Sequence, residues 1–216
     1  MMRPTTIYRP VLRILQAASS APLACLTLSA CLALPVAAAP VSLTVTDEAG
    51  RPLASAAVAV FVKGTPTTTS GVTVEMAQRD KQFAPQLVVI QTGSAVQFPN
   101  FDTIRHHVYS FSAIKPFEIK LYSGRPSAPV VFDRRGTATL GCNIHDSMVG
   151  YIHVVDTPYF GVSNAQGKVE LELPAGDHRI RVWHPQMGET EPGQEFRQVM
   201  GTNPIRIKQW AFGVAT

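Results

Sequence analysis

Short apolar segments separated by turn residues run through the chain from about residue 41 onward. Each segment is rich in β-branched and aromatic residues, and several place an apolar residue at every second position, which is typical of a half-buried β-strand. The predicted strands are residues 41–45, 56–62, 87–90, 95–98, 107–111, 137–140 and 149–155. Turn residues fill the breaks, as at 47–50, 92–94, 123–126 and 174–177. No long helical period interrupts this region, so the pattern predicts an all-β fold, either a sandwich or a barrel.

The first 39 residues have the composition of a secretory signal peptide. Their only charges are three arginines near the start, a stretch rich in alanine and leucine follows, and small residues surround Ala38. The apolar stretch between Pro22 and Pro35 is shorter than the ~20 residues that a membrane-spanning helix needs. We therefore expect residues 1–39 to be removed and the remainder to be exported to the periplasm. The segment ending at Cys31 resembles a bacterial lipobox, so a lipoprotein anchored to a membrane through Cys31 is the alternative.

Removal of this segment changes both the charge and the cysteine count. The full chain has 19 Lys and Arg against 15 Asp and Glu, and without the three arginines of the signal the balance is 16 against 15. A nearly neutral protein gives no support to nucleic-acid binding, which needs a concentrated basic surface. Cys25 and Cys31 are lost with the signal. Cys142 is then the only cysteine in an oxidising compartment, and it can form no internal disulfide.

Cys142 stands in a cluster of residue types that bind metals. Cys142, His145 and Met148 follow one another as Cys-x-x-His-x-x-Met between two predicted strands, so one short loop can turn a thiolate, an imidazole and a thioether toward a single ion. Two histidines and a cysteine with a weak axial methionine form a blue (type 1) copper site. The second histidine must come from elsewhere in the chain. His106 and His107 both precede a predicted strand, and the residues alone leave the choice between them open.

The wider pattern resembles the cupredoxins, the family of plastocyanin, amicyanin and pseudoazurin. An Asn-x-Asp-x-x-x-His segment that ends at His106, then 35 residues, then Cys-x-x-His-x-x-Met is similar to the order of the family's ligands. Residues 81–98 also resemble the family's opening strands. The sequence departs from the family at His107, where asparagine is usual, and at Ile144, where proline is common.

The resemblance implies both a fold and a function. It implies a Greek-key β-sandwich over residues 75–156, and a carrier of single electrons that is not an enzyme. The implied ligands of one copper ion are His106, Cys142, His145 and Met148, with His107 and Asn143 next to them. His145 would lie at the solvent edge, where a redox partner such as a cytochrome c or a dehydrogenase docks. Two alternatives remain, namely copper storage or delivery, and an interaction module without metal.

The ends of the chain resemble a second small module. Residues 161–171 and 174–182 are similar to the second half of a carboxypeptidase-regulatory-like β module, which implies an accessory β-sandwich without chemistry of its own. This module is either confined to residues 157–216 or completed by residues 40–74, and the sequence leaves both arrangements open. The whole chain also resembles larger proteins labelled methylamine-utilisation or plastocyanin-like.

Three histidines and two tryptophans outside the copper motif are expected to have structural roles and not to bind metal. His153 follows the ligand loop on a strand and is expected at the surface, because its neighbours in the alternation point the other way. His178 and His184 are expected to be exposed or hydrogen-bonded. Trp183 and Trp210 are expected in a core or an interface.

Overall fold

The computed structural model describes residues 38–65 and 71–200, together with the backbone of 205–207. The predicted signal segment up to residue 37, with Cys25 and Cys31, and the position of Trp210 lie outside these ranges. Within them the chain forms β-strands joined by turns, one 3₁₀ helix and no α-helix, which confirms the prediction of an all-β fold. No helix in the described ranges is long and apolar enough to cross a bilayer.

The strands are short and follow one another closely. In chain order they are β1 Ala38–Val45, β2 Ala57–Phe61, β3 Thr73–Glu75, β4 Ala77–Arg79, β5 Gln82–Ala84, β6 Leu87–Gln91, β7 Ala95–Gln97, β8 His106–Ser110, β9 Phe117–Tyr122, β10 Val130–Val131, β11 Gly136–Leu140, β12 Gly150–Val155, β13 Tyr159–Val162, β14 Lys168–Pro174, β15 Gly176–Trp183, β16 Gln194–Met200 and β17 Ile205–Ile207. The 3₁₀ helix is Pro185–Met187.

Residues 72–157, which we call the central module, surround a hydrophobic core of their own. Their strands form the sheets β11-β12-β6 and β10-β7-β3 and the two-stranded ribbons β8-β9 and β4-β5. Alternate residues of β12, Ile152 and Val154, enter the core together with Leu140 of β11. Cys142 and Met148 belong to the same buried cluster. The loop between β11 and β12 is therefore anchored from inside at two of its positions.

Residues 38–65 and 158–200, which we call the flanking module, surround a second core. β1 pairs with β14 along its length, and β2 lies between β13 and β15 in the four-stranded sheet β13-β2-β15-β16. The buried residues of this core are Val41, Leu43, Val45, Ala56, Val58, Val60, Val169, Leu173, Ile180, Val182 and Met200. The N-terminal strands β1 and β2 thus pair with the later strands β14, β13 and β15.

Trp183 joins the two modules. Its side chain is fully buried, its indole stacks on the ring of His153 with centroids 5.0 Å apart, and it contacts Tyr151 at 5.7 Å. The indole Nε1 donates a hydrogen bond of 2.9 Å to the carbonyl oxygen of Gly188. The expectation that His153 lies at the surface is wrong, because His153 is only 5% exposed. The strand does turn this residue away from the central core, but the flanking module covers that face.

Acidification is expected to destabilise the protein through His153. Burial, with a smaller contribution from the charge of Arg181, lowers the pKa of His153 from 6.5 to about 4. In the unfolded chain this histidine takes up a proton near pH 6.5, which the folded state resists. Protonation of His153 therefore leaves the unfolding free energy unchanged above about pH 6.5. As the pH falls from there toward 4, the unfolding free energy decreases by about 3 kcal/mol in total.

Urea unfolding at two pH values measures this effect. Between about pH 7 and pH 5 the wild type should lose about 2 kcal/mol more of its unfolding free energy than the variant His153→Gln, which cannot titrate. Other titrating groups change both proteins equally, so they cancel in this difference. Equal losses in the two proteins would contradict the prediction.

Candidate metal centre

The loop from Cys142 to Met148 is folded by two consecutive turns. The backbone N–H of His145 donates to the carbonyl oxygen of Cys142 at 3.3 Å, and the N–H of Met148 donates to that of His145 at 2.9 Å. At its start the loop is joined to β8 by two backbone hydrogen bonds between Gly141 and Tyr109, of 3.0 and 3.1 Å. The Tyr109 ring lies so close to Gly141 that an added Cβ would be 2.6 Å from it, so a side chain here would require the ring to move. These contacts hold the loop against the strand that carries His106.

Three of the predicted ligands, His106, Cys142 and His145, lie close together, and the Cys142 thiol among them is buried. The Sγ atom of Cys142 lies 3.8 Å from Nδ1 of His106 and 4.0 Å from Nδ1 of His145. All three ligand atoms are within 4.8 Å of one another. His106 and Cys142 are buried, whereas His145 is partly exposed. Residues 36 positions apart in the chain are thus brought to the same point by the β8 and β11 strands.

A carboxylate orients the His106 ring. Oδ2 of Asp102 lies 2.7 Å from Nε2 of His106. The same carboxylate accepts hydrogen bonds from the backbone N–H groups of Asp80 at 2.7 Å and Lys81 at 3.0 Å. Partial burial raises the pKa of Asp102, but the hydrogen bonds from Lys81 and His106 outweigh it and hold the pKa below its usual value. A charged Asp102 keeps the proton of His106 on Nε2, which leaves the lone pair of Nδ1 facing the thiol.

The support for Asp102 comes from two further segments. Asp80 and Lys81 have φ values of +55° and +59° and form the tight turn between β4 and β5, which directs both N–H groups to one side. Asn100 is buried, and its Oδ1 accepts the N–H of Asp102 at 2.9 Å. Its Nδ2 donates to the carbonyl oxygens of Ile104 and Tyr122. The sequence reasoning assigned no role to Asp102, although an aspartate four residues before the histidine was a usable signal.

The remaining predicted site residues have different surroundings. Met148 is 1% exposed and packs in the same core cluster as Cys142. His107 is buried on β8, and its Nε2 lies 2.8 Å from Oε1 of Glu118, so this ring is held by a partner on β9. Asn143 is exposed on the loop. The structure therefore brings His106, and not His107, next to the thiol, while the predicted roles of Met148, His107 and Asn143 stay predictions.

The three clustered donors fit a copper ion. One thiolate and two imidazoles form the trigonal donor set that suits copper. Bonds of about 2.0 Å to nitrogen and 2.3 Å to sulfur, as known for zinc, can span the sulfur–nitrogen separations seen here. The orientation of His106 by a carboxylate is also typical of metal-binding histidines. Among the described residues this is the one group of three or more His, Cys, Asp or Glu side chains close enough to hold a metal together.

Part of the chain is similar to three solved structures, each at low identity and with a low TM-score. A purple cupredoxin from Nitrosopumilus maritimus is 19% identical with a TM-score of 0.34, over 39% of this chain and 99% of that one. Amicyanin from Paracoccus versutus is 17% identical with a TM-score of 0.33, over 44% of this chain and 97% of its own. Plastocyanin from Dryopteris crassirhizoma is 20% identical with a TM-score of 0.33, over 38% of this chain and 100% of its own. No protein-family model and no curated protein sequence matches the chain.

Proposed function

We propose that this protein is a periplasmic carrier of single electrons that uses one copper ion held by His106, Cys142, His145 and Met148. One observation supports the proposal above all others. Two imidazole Nδ1 atoms lie 3.8 and 4.0 Å from a single buried thiol. When bound, copper supplies a one-electron oxidation and reduction at this position. The chain's own residues supply the binding, the orientation and the exclusion of water.

The residues around the donors keep the site rigid. His106 is held by Asp102 on its far side, and the loop that carries Cys142 is bonded to β8 through Gly141. A donor set that is fixed in advance needs little rearrangement when the charge of the site changes, which favours fast electron transfer. Burial of Cys142 among apolar side chains limits access of water to the sulfur and tunes the reduction potential.

His145 gives this site its route to the surface. It is the one partly exposed member of the three-residue cluster, and its neighbour Ile144 is 48% exposed. A redox partner, such as a cytochrome c or a dehydrogenase, can approach this edge and form the small, short-lived contact that electron transfer uses. With Met148 as a fourth ligand the ion has no open position for a substrate, and for this reason we propose a carrier and not an enzyme.

The proposed location and domain order rest on the sequence. Residues 1–39 would direct export and be removed, and a lipid on Cys31 would instead anchor the protein to a membrane. Residues 75–156 would be the copper-binding domain. Residues 157–216, with residues 40–74, would form the accessory β module, which the pairing of β1 with β14 supports.

The visible spectrum of the copper-loaded protein tests this function. Addition of copper(II) to the purified protein should give one intense thiolate-to-copper charge-transfer band, which disappears on reduction and returns on reoxidation. A protein that binds copper(I) without a band that cycles in this way would be a storage or delivery protein, since thiolate and thioether favour copper(I). If the protein shows no such band and binds no copper, the remaining hypothesis is an interaction module without metal.

A further inference from the structure

A large cavity lies in the flanking module, away from the copper motif. Its volume is about 1000 Å³, and it opens between the end of β2 and the turn from β14 to β15. Its charged lining residues in the described part of the chain are Lys63, Asp177, Arg179 and Arg197, so positive charge predominates. Phe61 and His178 also line the cavity.

The two arginines that line the cavity lie opposite one another on neighbouring strands. Arg179 of β15 and Arg197 of β16 are direct cross-strand partners in the antiparallel ladder. Side chains at such positions are about 5 Å apart at Cβ, and like charges placed opposite one another destabilise a sheet. A bound anion between the two guanidinium groups would relieve this repulsion.

The acidic side chains nearby do not balance these charges. The carboxylate of Glu195 is shared by two arginines, since it lies 3.2 Å from Arg179 and 2.9 Å from Arg181. No carboxylate among the described residues forms an ion pair with Arg197 or Lys63. Within the described ranges, two of the cationic side chains that line the cavity, Lys63 and Arg197, therefore have no ion-pair partner.

The cavity wall is also held in position. The guanidinium carbon of Arg179 lies 4.4 Å from the centroid of the Phe61 ring, and that of Arg181 lies 5.1 Å from it. His178 is 3% exposed; its Nε2 is hydrogen-bonded to the carbonyl oxygen of Pro174 at 2.6 Å, while its buried Nδ1 has no hydrogen-bond partner among the described residues. Fixed side chains lose less conformational freedom when a ligand binds, which favours binding.

From this arrangement we infer that the cavity binds a multivalent organic oxyanion, whose carboxylate or phosphate groups are held by Arg179, Arg197 and Lys63. Guanidinium groups form paired hydrogen bonds with both kinds of oxyanion, and the lysine adds a point charge. The volume admits a molecule several times larger than a single inorganic phosphate. This site is separate from the proposed electron-carrier function and needs no metal.

Calorimetric titration of the purified, metal-free protein at low salt tests the inference. Citrate is the carboxylate probe and tripolyphosphate is the phosphate probe, and at least one of them should bind in a one-to-one complex. The variants Lys63→Gln and Arg197→Gln should each weaken that binding about fivefold, the upper end expected for an exposed ion pair. Both side chains are exposed, so these variants should fold normally.

Lys168→Gln is the matched control. Lys168 is exposed in the same module but lies on β14 and does not line the cavity, so its loss should leave the affinity unchanged. The inference is overturned if neither probe binds, if the double variant of Lys63 and Arg197 binds as tightly as the wild type, or if the control weakens binding as much as they do. The last result would indicate general attraction to a positively charged protein.

Discussion

His106→Ala is expected to abolish the thiolate-to-copper band, whereas His107→Ala, a change of equal size at the next residue, should leave it intact. The reason is the position of the two rings. Nδ1 of His106 lies 3.8 Å from the Cys142 thiol, while Nε2 of His107 is bonded to Glu118 at 2.8 Å. Removal of the proposed ligand His106 should cost more copper affinity than the about 10- to 100-fold that loss of an outer hydrogen-bond partner costs.

Visible spectroscopy and a copper-competition titration on both variants measure this prediction. His107→Ala serves as the control for burial and folding, because both histidines are buried in β8. Circular dichroism of the metal-free proteins checks that each variant folds. Loss of the band in His107→Ala alone would reverse the ligand assignment, and loss in neither would exclude both histidines as ligands.

Trp183→Ala should cause the largest loss of stability, about 3–5 kcal/mol of unfolding free energy, which is typical of large-to-small changes at buried aromatic positions. Trp183 is fully buried where the two modules meet, and its ring packs against His153 and Tyr151. The substitution would leave a cavity between them. It would also leave the carbonyl oxygen of Gly188 without the indole N–H.

Urea unfolding followed by circular dichroism measures this loss without depending on tryptophan fluorescence. Trp183→Phe is the matched control, since it keeps an aromatic ring for the stacking on His153 but removes the hydrogen bond to Gly188. Its cost should be clearly smaller than that of the alanine variant. A loss below about 1 kcal/mol for Trp183→Ala, an ordinary value for a point substitution, would show that the modules do not depend on this contact.

The positions of many strands along the chain could be predicted, because strand formation leaves a local pattern of alternating apolar and polar residues. All seven predicted segments coincide with strands of the structure, from β1 to β12. The strand β9, Phe117–Tyr122, was not predicted, although Phe117 and Ile119 alternate with charged residues. The ribbon β4-β5 is too short to show a period, and its turn at Asp80 and Lys81 lacks the glycine that usually marks such a turn.

The sequence by itself determined that a thiol, an imidazole and a thioether share one short loop, because Cys142, His145 and Met148 are close in the chain and spacing alone brings them together. It could not decide between His106 and His107, because that choice depends on which face of β8 meets the loop. Only the tertiary structure settled which ring lies beside the thiol.

Other features depended wholly on contacts between distant segments. The hydrogen bonds to Asp102 come from a turn about 20 residues earlier, and the burial of His153 comes from a tryptophan 30 residues later. The pairing of β1 with β14 joins residues more than 120 positions apart. Hydrophobic periodicity indicates which residues of a strand face the core and which point away from it. It does not indicate what covers the residues that point away. That information exists only once the chain has folded.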